Sequence, residues 1–159
     1  FAMTGWRVGY IGASAEVAKA CDKMQGQFTS ATCSIAQKAT QAAVEMDPKD
    51  ILTMRDAFKK RRDLVYELLK EIPGMKTNLP DGAFYFFPEV SSYFGKSDGT
   101  TTIKNGTDLS MFLLDKAHVA LVPGAAFGDD KYIRFSYATS EERLKEALSR
   151  MKKTLATLH

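Results

Sequence analysis

The sequence predicts an α+β fold, in which a small mixed or antiparallel sheet packs with helices and follows one strand and two further helices. Residues 47–159 show the order helix, strand, strand, helix, strand, strand, helix, which describes a compact α+β domain. A chain of 159 residues is long enough to bury one good core. A hydrophobic content of 45% with 26% charged residues is typical of a globular protein.

The first 46 residues carry patterns for one strand and two helices. Aromatic and β-branched residues in "GWRVGYIGA", residues 5–13, predict a largely buried strand. Ser14 is a predicted N-cap for a helix that should break at Gly26. The alanine-rich run "CSIAQKATQAAVEM" predicts a second helix, whose apolar face should consist of Ile35, Ala39, Ala42 and Met46.

A strong helix start follows at Asp47 and Pro48, because proline at the first helical position loses no hydrogen bond. We place a domain boundary here, which predicts domains of residues 1–46 and 47–159. The helix should end at the Pro-Gly pair 73–74. Its predicted apolar stripe consists of Ile51, Met54, Phe58, Val65, Leu68, Leu69 and Ile72.

The remaining elements follow from turn signals and apolar spacing. A Pro-Asp-Gly turn inside "MKTNLPDGAFYFFPEV" predicts an antiparallel hairpin, and residues 95–106 predict a mobile polar loop. A helix with its apolar face at Leu109, Phe112, Leu113 and Ala117 precedes two strands, "VALVP" and "YIRFSYAT". Thr139 and Glu142 predict a capping box for a final helix, whose apolar stripe is Leu144, Leu148, Met151, Leu155 and Leu158.

Charge, cysteine content and hydropathy exclude several classes of protein. A net charge of +3 is too small to predict nucleic-acid binding, and the basic run at 59–62 is interpreted as a solvated helix face. The cysteines, Cys21 and Cys33, and the histidines, His118 and His159, lack zinc-ligand spacing and form no disulfide framework. A reduced cytoplasmic compartment fits best. No stretch is long and apolar enough to predict a membrane span.

Arg7 stands in an apolar strand-like run, where a buried guanidinium needs an anion or access to water. On a strand, Gly5 and Gly9 would share its face and leave room for a ligand. A phosphate group suits that space, because arginine offers paired donors to oxyanions. A structural carboxylate that pairs with Arg7 is the open alternative.

Arg134 lies in "YIRFSYAT", where Ile133, Phe135 and Tyr137 define one strand face. Arg134 belongs to the other face, which is polar and aromatic and is a plausible place for a two-pronged contact with a carboxylate ligand. An arginine on an edge strand, engaged in a surface salt bridge, is the alternative that the pattern leaves open.

Four ordered blocks carry a family resemblance. "FAMTGWRVGYIGA" resembles the segment just after the cofactor lysine in class I, fold-type I pyridoxal-phosphate aminotransferases, most closely the bacterial aspartate aminotransferase branch. "DGAFYFFPEV", "VALVPGAAFG" and "YIRFSYATSEERLKEAL" are similar to successive blocks of the same family's C-terminal part. The resemblance implies that residues 47–159 are the small C-terminal domain of such an enzyme, and that residues 1–46 are the tail of its large cofactor-binding domain.

The resemblance also implies roles for the two arginines. Arg7 matches the arginine that binds the phosphate of pyridoxal 5'-phosphate, and Arg134 matches the arginine that binds the substrate's α-carboxylate. The family's Schiff-base lysine would lie two residues before Phe1, so no catalytic residue is assigned within the chain. We expect the chain to be a fragment that is inactive alone.

For the parent protein, the resemblance implies transfer of the amino group of aspartate, or of a similar amino acid, to 2-oxoglutarate. It further implies a cytoplasmic homodimer whose partners are amino acids and 2-oxo acids, with no nucleic acid, membrane or metal. Two alternatives stay open. One is an aminotransferase of aromatic or alanine specificity, and the other is the aminotransferase-like ligand-sensing domain of a transcription regulator.

Overall fold

The computed structural model describes residues 1–159, which divide into two compact units, residues 1–53 and residues 54–159. The division falls just inside the long helix that begins at Leu52, rather than before Asp47. The limits of 1–46 and 47–159 therefore stay a prediction about the domains of the parent protein. The two units are described separately below.

The first unit contains helices and 3-10 turns but no strand. A short 3-10 turn at Thr4–Trp6 is followed by α1 (Ala15–Phe28), by α2 (Ser34–Glu45) and by a 3-10 turn at Pro48–Ile51. The predicted strand over 5–13 was wrong, since these residues pair with no other strand. A strand needs a hydrogen-bonded neighbour. Here the amides of Trp6 and Arg7 instead donate to carbonyls three residues earlier.

The two helices of this unit also differ from the prediction in detail. Ser14 occupies the N-cap position of α1 as expected, but the helix runs through Gly26 instead of breaking there. One glycine costs a helix only about 1 kcal/mol, which the neighbouring residues offset. The inner face of α2 contains Ala36 and Ala39, whereas Ile35 is 68% exposed. The predicted face through Ile35 was therefore displaced by one residue.

The long helix α3 (Leu52–Lys70) belongs to the second unit from Met54 onwards. The helix start predicted at Asp47 is confirmed, because its carboxylate accepts a hydrogen bond from the amide of Lys49 at 2.9 Å in the preceding 3-10 turn. The predicted stripe is buried most fully towards the end of the helix and just beyond it, at Val65, Leu69 and Ile72.

Three short antiparallel strands form the sheet. They are β1 (Tyr85–Phe86), β2 (Val122–Pro123) and β3 (Ile133–Ser136), arranged in the order β1-β3-β2. The predicted tight hairpin at 75–90 was only partly right: its outer ends pair through a single bridge between Lys76 and Glu89, and β1 pairs with β3 instead. The α+β class with a small antiparallel sheet is confirmed.

Two helices complete the unit, α4 (Gly106–Ala117) and α5 (Glu141–Leu155). The predicted capping box at Thr139 was displaced by one residue, because the Ser140 hydroxyl oxygen accepts the hydrogen bond from the Arg143 amide. His118 ends α4 as its C-cap residue, in the left-handed conformation with φ of 54°. The predicted apolar faces of both helices are buried, comprising Leu109, Phe112, Leu113, Ala117, Leu144, Leu148, Met151, Leu155 and Leu158.

The polar segment 95–106 is a hydrogen-bonded turn rather than an open loop. The Asp98 carboxylate accepts hydrogen bonds from the Thr100 hydroxyl and from the amides of Thr100 and Thr101, which lower the pKa of Asp98 to about 2. The backbones of Ser97 and His159 exchange two hydrogen bonds, each of 3.1 Å. Ile103 inside this segment is fully buried, which fixes the turn to the core.

Candidate functional site

Arg134 lies in the middle of β3, which is the central strand of the sheet. Its neighbours Ile133 and Phe135 point into the core, and Arg134 itself is half-buried on the opposite face. The alternation predicted for this strand is therefore confirmed. The alternative of an arginine on an edge strand is wrong, because β1 and β2 flank β3 on both sides.

Two aromatic rings hold the guanidinium of Arg134. Its carbon Cζ lies 4.4 Å from the ring centre of Tyr85 and 4.5 Å from that of Phe127. No carboxylate lies within 4.0 Å of it, and none of its N–H groups donates a hydrogen bond to another residue of the chain. The surface salt bridge considered as the alternative is therefore absent, and five donors are free for a ligand.

Phe127 reaches Arg134 because of a tight connection between β2 and β3. A 3-10 turn at Gly124–Phe127 follows β2, and the amide of Gly124 donates to the Tyr132 carbonyl at 2.8 Å. A Cβ atom on Gly124 would come within 2.2 Å of the Asp129 carbonyl oxygen. Only glycine therefore permits this close approach of the two backbone segments. The "PGAAFG" run serves to place an aromatic ring, which its composition alone did not reveal.

Tyr85 is placed by pairing between β1 and β3, in which it lies opposite Ser136. The segment before it is fixed by Tyr137, whose hydroxyl donates to the Ala83 carbonyl at 2.8 Å. Ala83 adopts a φ of 59°, an uncommon backbone conformation for a residue other than glycine. Burial raises the pKa of Tyr137, so the hydroxyl stays protonated as the donor.

Arg7 lies in the first unit, just after the 3-10 turn, with φ of 52°. It is exposed, and its only hydrogen bond to the chain runs from Nη1 to the Thr4 carbonyl at 3.0 Å. It has no carboxylate partner, so the structural ion pair considered for it is absent. The face-sharing argument for Gly5 and Gly9 fails without a strand, but a Cβ on either would meet nothing within 4 Å, so the space beside each glycine is open.

The remaining donors of Arg7 and the open space suit the phosphate end of a cofactor, because guanidinium groups pair with oxyanions. Arg7 and Arg134 lie in different units of the chain. Each is free of internal carboxylates, which is the property that both predicted roles require. Sequence reasoning missed Tyr85 and Phe127, and the only signal for them was the aromatic character of the strand face that carries Arg134.

Other features of the chain add no competing site. A cationic hollow of about 310 Å³ lies beside α3 and is lined by Arg55, Lys59 and Arg62, but both arginines already pair with the aspartate that follows them. No cluster of three or more histidine, cysteine or acidic residues is arranged to hold a metal ion. None of the helices combines the length and apolarity needed to cross a bilayer.

Comparisons with known proteins bear on the whole chain. The model of the family "Aminotransferase class I and II" matches residues 1–151. The bifunctional aspartate aminotransferase and glutamate/aspartate-prephenate aminotransferase of Petunia hybrida is 49% identical over 162 residues, which cover 99% of this chain and 34% of that protein.

Solved structures agree with this family. The crystal structure of the aspartate aminotransferase from Rhizobium meliloti is similar with a TM-score of 0.81 and 43% identity, over 99% of this chain and 40% of that one. The aromatic aminotransferase from Pyrococcus horikoshii OT3 is similar with a TM-score of 0.75 and 36% identity, over 98% of this chain and 40% of that one.

The chain spans between about a third and two fifths of the length of these relatives. Within that span the match is nearly continuous, and it includes all four sequence blocks and both arginines. The chain therefore belongs to the class I and II aminotransferases.

Proposed function

We propose that this chain is the C-terminal part of an enzyme that transfers the amino group of aspartate to 2-oxoglutarate with pyridoxal 5'-phosphate. The aspartate aminotransferases among its relatives support this substrate. The observation that carries the proposal is the state of Arg134, a half-buried cation that two rings hold and no carboxylate of the chain neutralises. A fixed cation with all its donors free is a receptor for a carboxylate.

Arg134 binds the α-carboxylate in this proposal. A planar guanidinium accepts a carboxylate through two parallel N–H donors, which fixes orientation as well as position. Because the carboxylate and the reacting hydrogen are attached to the same Cα, this contact also orients the Cα–H bond. Orientation of this kind lowers the barrier by restricting the substrate before the reaction starts.

Arg7 binds the phosphate end of the cofactor in the same proposal. Its exposed guanidinium, its single internal hydrogen bond and the open space beside Gly5 and Gly9 support this role. The bound cofactor supplies the electron sink for the amino-group chemistry. We assign the transfer of the Cα proton to no residue of this chain, so residues 1–159 alone should not catalyse the reaction.

The proposal also covers assembly and location. We place the parent protein in the cytoplasm as a homodimer. The two exposed free thiols, Cys21 and Cys33, support a reducing compartment. Amino acids and 2-oxo acids are the partners that the carboxylate-binding role of Arg134 requires.

The test uses the full-length enzyme with aspartate and 2-oxoglutarate. Arg134→Ala should raise KM for aspartate by about one to two orders of magnitude, since a charge-assisted two-pronged contact contributes about 1.5–3 kcal/mol. Arg7→Ala should leave that KM close to its original value and should weaken retention of the cofactor, measured by its absorbance after dialysis. Unchanged affinity for aspartate in Arg134→Ala would contradict the proposal.

Tyrosine and alanine serve as competing donors in the same assay. A relative named as an aromatic aminotransferase makes tyrosine the sharper comparison. We expect kcat/KM for aspartate to exceed that for either competitor. A preference for tyrosine would assign the chain to an aromatic aminotransferase and would leave the role of Arg134 intact.

A further inference from the structure

The guanidinium of Arg134 is held in an uncommon manner, by rings and by no hydrogen bond within the chain. Tyr85 approaches from the side of β1, and Phe127 approaches from the turn that follows β2. Aromatic faces attract a cation through their quadrupole and use none of its N–H donors. A carboxylate in the same place would occupy the donors that a substrate needs.

The two rings are themselves supported by other aromatic side chains. Phe127 contacts Phe87 edge-to-face, with ring centres 6.0 Å apart, and Phe87 stacks on Tyr132 at 4.9 Å. On the other side, Tyr85 contacts Phe84 at 4.3 Å. Edge-to-face and offset contacts of this kind restrict ring orientation. Arg134 therefore lies within a continuous series of aromatic contacts.

Phe127 is a large hydrophobic side chain that nevertheless remains exposed to solvent. The side chain is 51% exposed, and the glycine at 124 that permits its turn cannot be replaced without a backbone clash. The contact with Arg134 gives this exposed ring a role. An arginine side chain without such contacts would sample many rotamers and would lose that freedom only on binding a ligand.

We propose that Tyr85 and Phe127 are positioning residues, which hold Arg134 in its carboxylate-binding conformation and so set the affinity for the substrate's α-carboxylate. This inference rests on the proposed function of Arg134, because Tyr85 and Phe127 act only through that residue. The rings act before the substrate arrives, because a cation already held in place loses less conformational freedom on binding.

The test uses the full-length, cofactor-loaded enzyme and two readouts. Calorimetric binding of succinate, a dicarboxylate with no amino group, measures affinity without turnover, and steady-state kinetics separate KM from kcat. Phe127→Leu and Tyr85→Leu should each weaken succinate binding and raise KM for aspartate about tenfold, within the range of a partly desolvated cation–π contact. The fall in kcat should be smaller than the rise in KM.

Conservative variants and a matched control separate positioning from general loss of structure. Phe127→Tyr and Tyr85→Phe keep the ring, and both should bind succinate within about twofold of the original enzyme. Tyr66→Leu removes a ring that lies under Lys70 at 5.1 Å on α3 and also stacks on Phe86, so it tests whether losing an aromatic contact to a different cation is enough to weaken binding. This control should leave succinate binding unchanged.

A double-mutant cycle with Arg134→Ala decides between the two proposals. If the rings act through Arg134, Phe127→Leu should have no further effect on binding in the Arg134→Ala background. An equal loss in both backgrounds overturns the positioning role. If Arg134→Ala weakens binding but neither leucine variant does, only the positioning role fails. If Arg134→Ala has no effect, the proposed function itself fails. Should Tyr85→Leu not fold, Phe127→Leu decides alone.

Discussion

In residues 1–53 Ala36 is the only buried hydrophobic residue, whereas residues 54–159 enclose a continuous core that draws on three helices and the sheet. Both regions carry amphipathic helices of similar length. In α5 the predicted apolar stripe is buried, but in α2 Ile35 and Val44 remain exposed. Apolar residues at helical spacing therefore predict a helix. Burial of its apolar face additionally requires another part of the protein that covers that face.

The two regions should behave differently when each is expressed alone. Residues 54–159 expressed alone should unfold in one cooperative urea transition, because the core lies within them. Residues 1–53 alone should show little helix by circular dichroism, since isolated helices shorter than about 12–15 residues are marginal in water. A sigmoidal transition for 1–53 would contradict the contrast.

Two isoleucines, one in each region, test the same difference in burial within the intact chain. Ile133 is fully buried on β3, and Ile35 on α2 is 68% exposed. Ile133→Ala should lower the free energy of unfolding by about 2–5 kcal/mol, as for other large-to-small changes in a core. Ile35→Ala should change it by less than about 0.5 kcal/mol. Urea titration of the 159-residue chain measures both, and equal losses would show that α2 has a covered face after all.

Gly124 and Gly9 differ in the space that an added side chain would find. A Cβ on Gly124 would lie 2.2 Å from one backbone carbonyl oxygen and 2.5 Å from another, while a Cβ on Gly9 would meet nothing within 4 Å. Gly124→Ala should therefore destabilise the second unit by about 1–3 kcal/mol, as overpacking does. Gly9→Ala should leave the thermal midpoint nearly unchanged. A tolerated alanine at 124 would show that the turn carrying Phe127 can move.

Acid should change the stability of the second unit less than these substitutions do. The pKa of Asp98 is lowered from 3.8 to about 2 by hydrogen bonds to its carboxylate, so the ionised form stabilises the fold above pH 4. That contribution disappears as the pH falls through about 2. Asp98→Asn should therefore lower the urea midpoint at pH 7, and the difference from the original chain should shrink between pH 4 and pH 2. A difference that stays constant to pH 2 would contradict the assignment.

Much of the second unit could be predicted from the sequence, because its signals are local. The stripes of α4 and α5 recur at helical spacing, and the alternation around Arg134 defines the faces of β3. The strand expected at 5–13 failed for the opposite reason. Strand formation depends on neighbouring strands, and no residue of the chain pairs with this segment.

The sequence pointed to Arg134 as the cation of the candidate site, but it did not identify the side chains around it. The strand pattern around Arg134 left a carboxylate ligand and a surface salt bridge open, and the family resemblance implied the carboxylate-binding role. The rings of Tyr85 and Phe127 reach it only through the register of β1 with β3 and the close turn after β2, neither of which the sequence specifies locally. Each strand has four residues or fewer, so pairing partners cannot be read from periodicity.

The two reciprocal hydrogen bonds between Ser97 and His159 have a practical consequence for labelling. A fluorescent group attached after His159 would be anchored to the turn at 95–106 and would rotate with the whole second unit. Its anisotropy would then fall when that turn detaches and exposes Ile103, so a single terminal dye would report the opening of a segment far from it in the sequence.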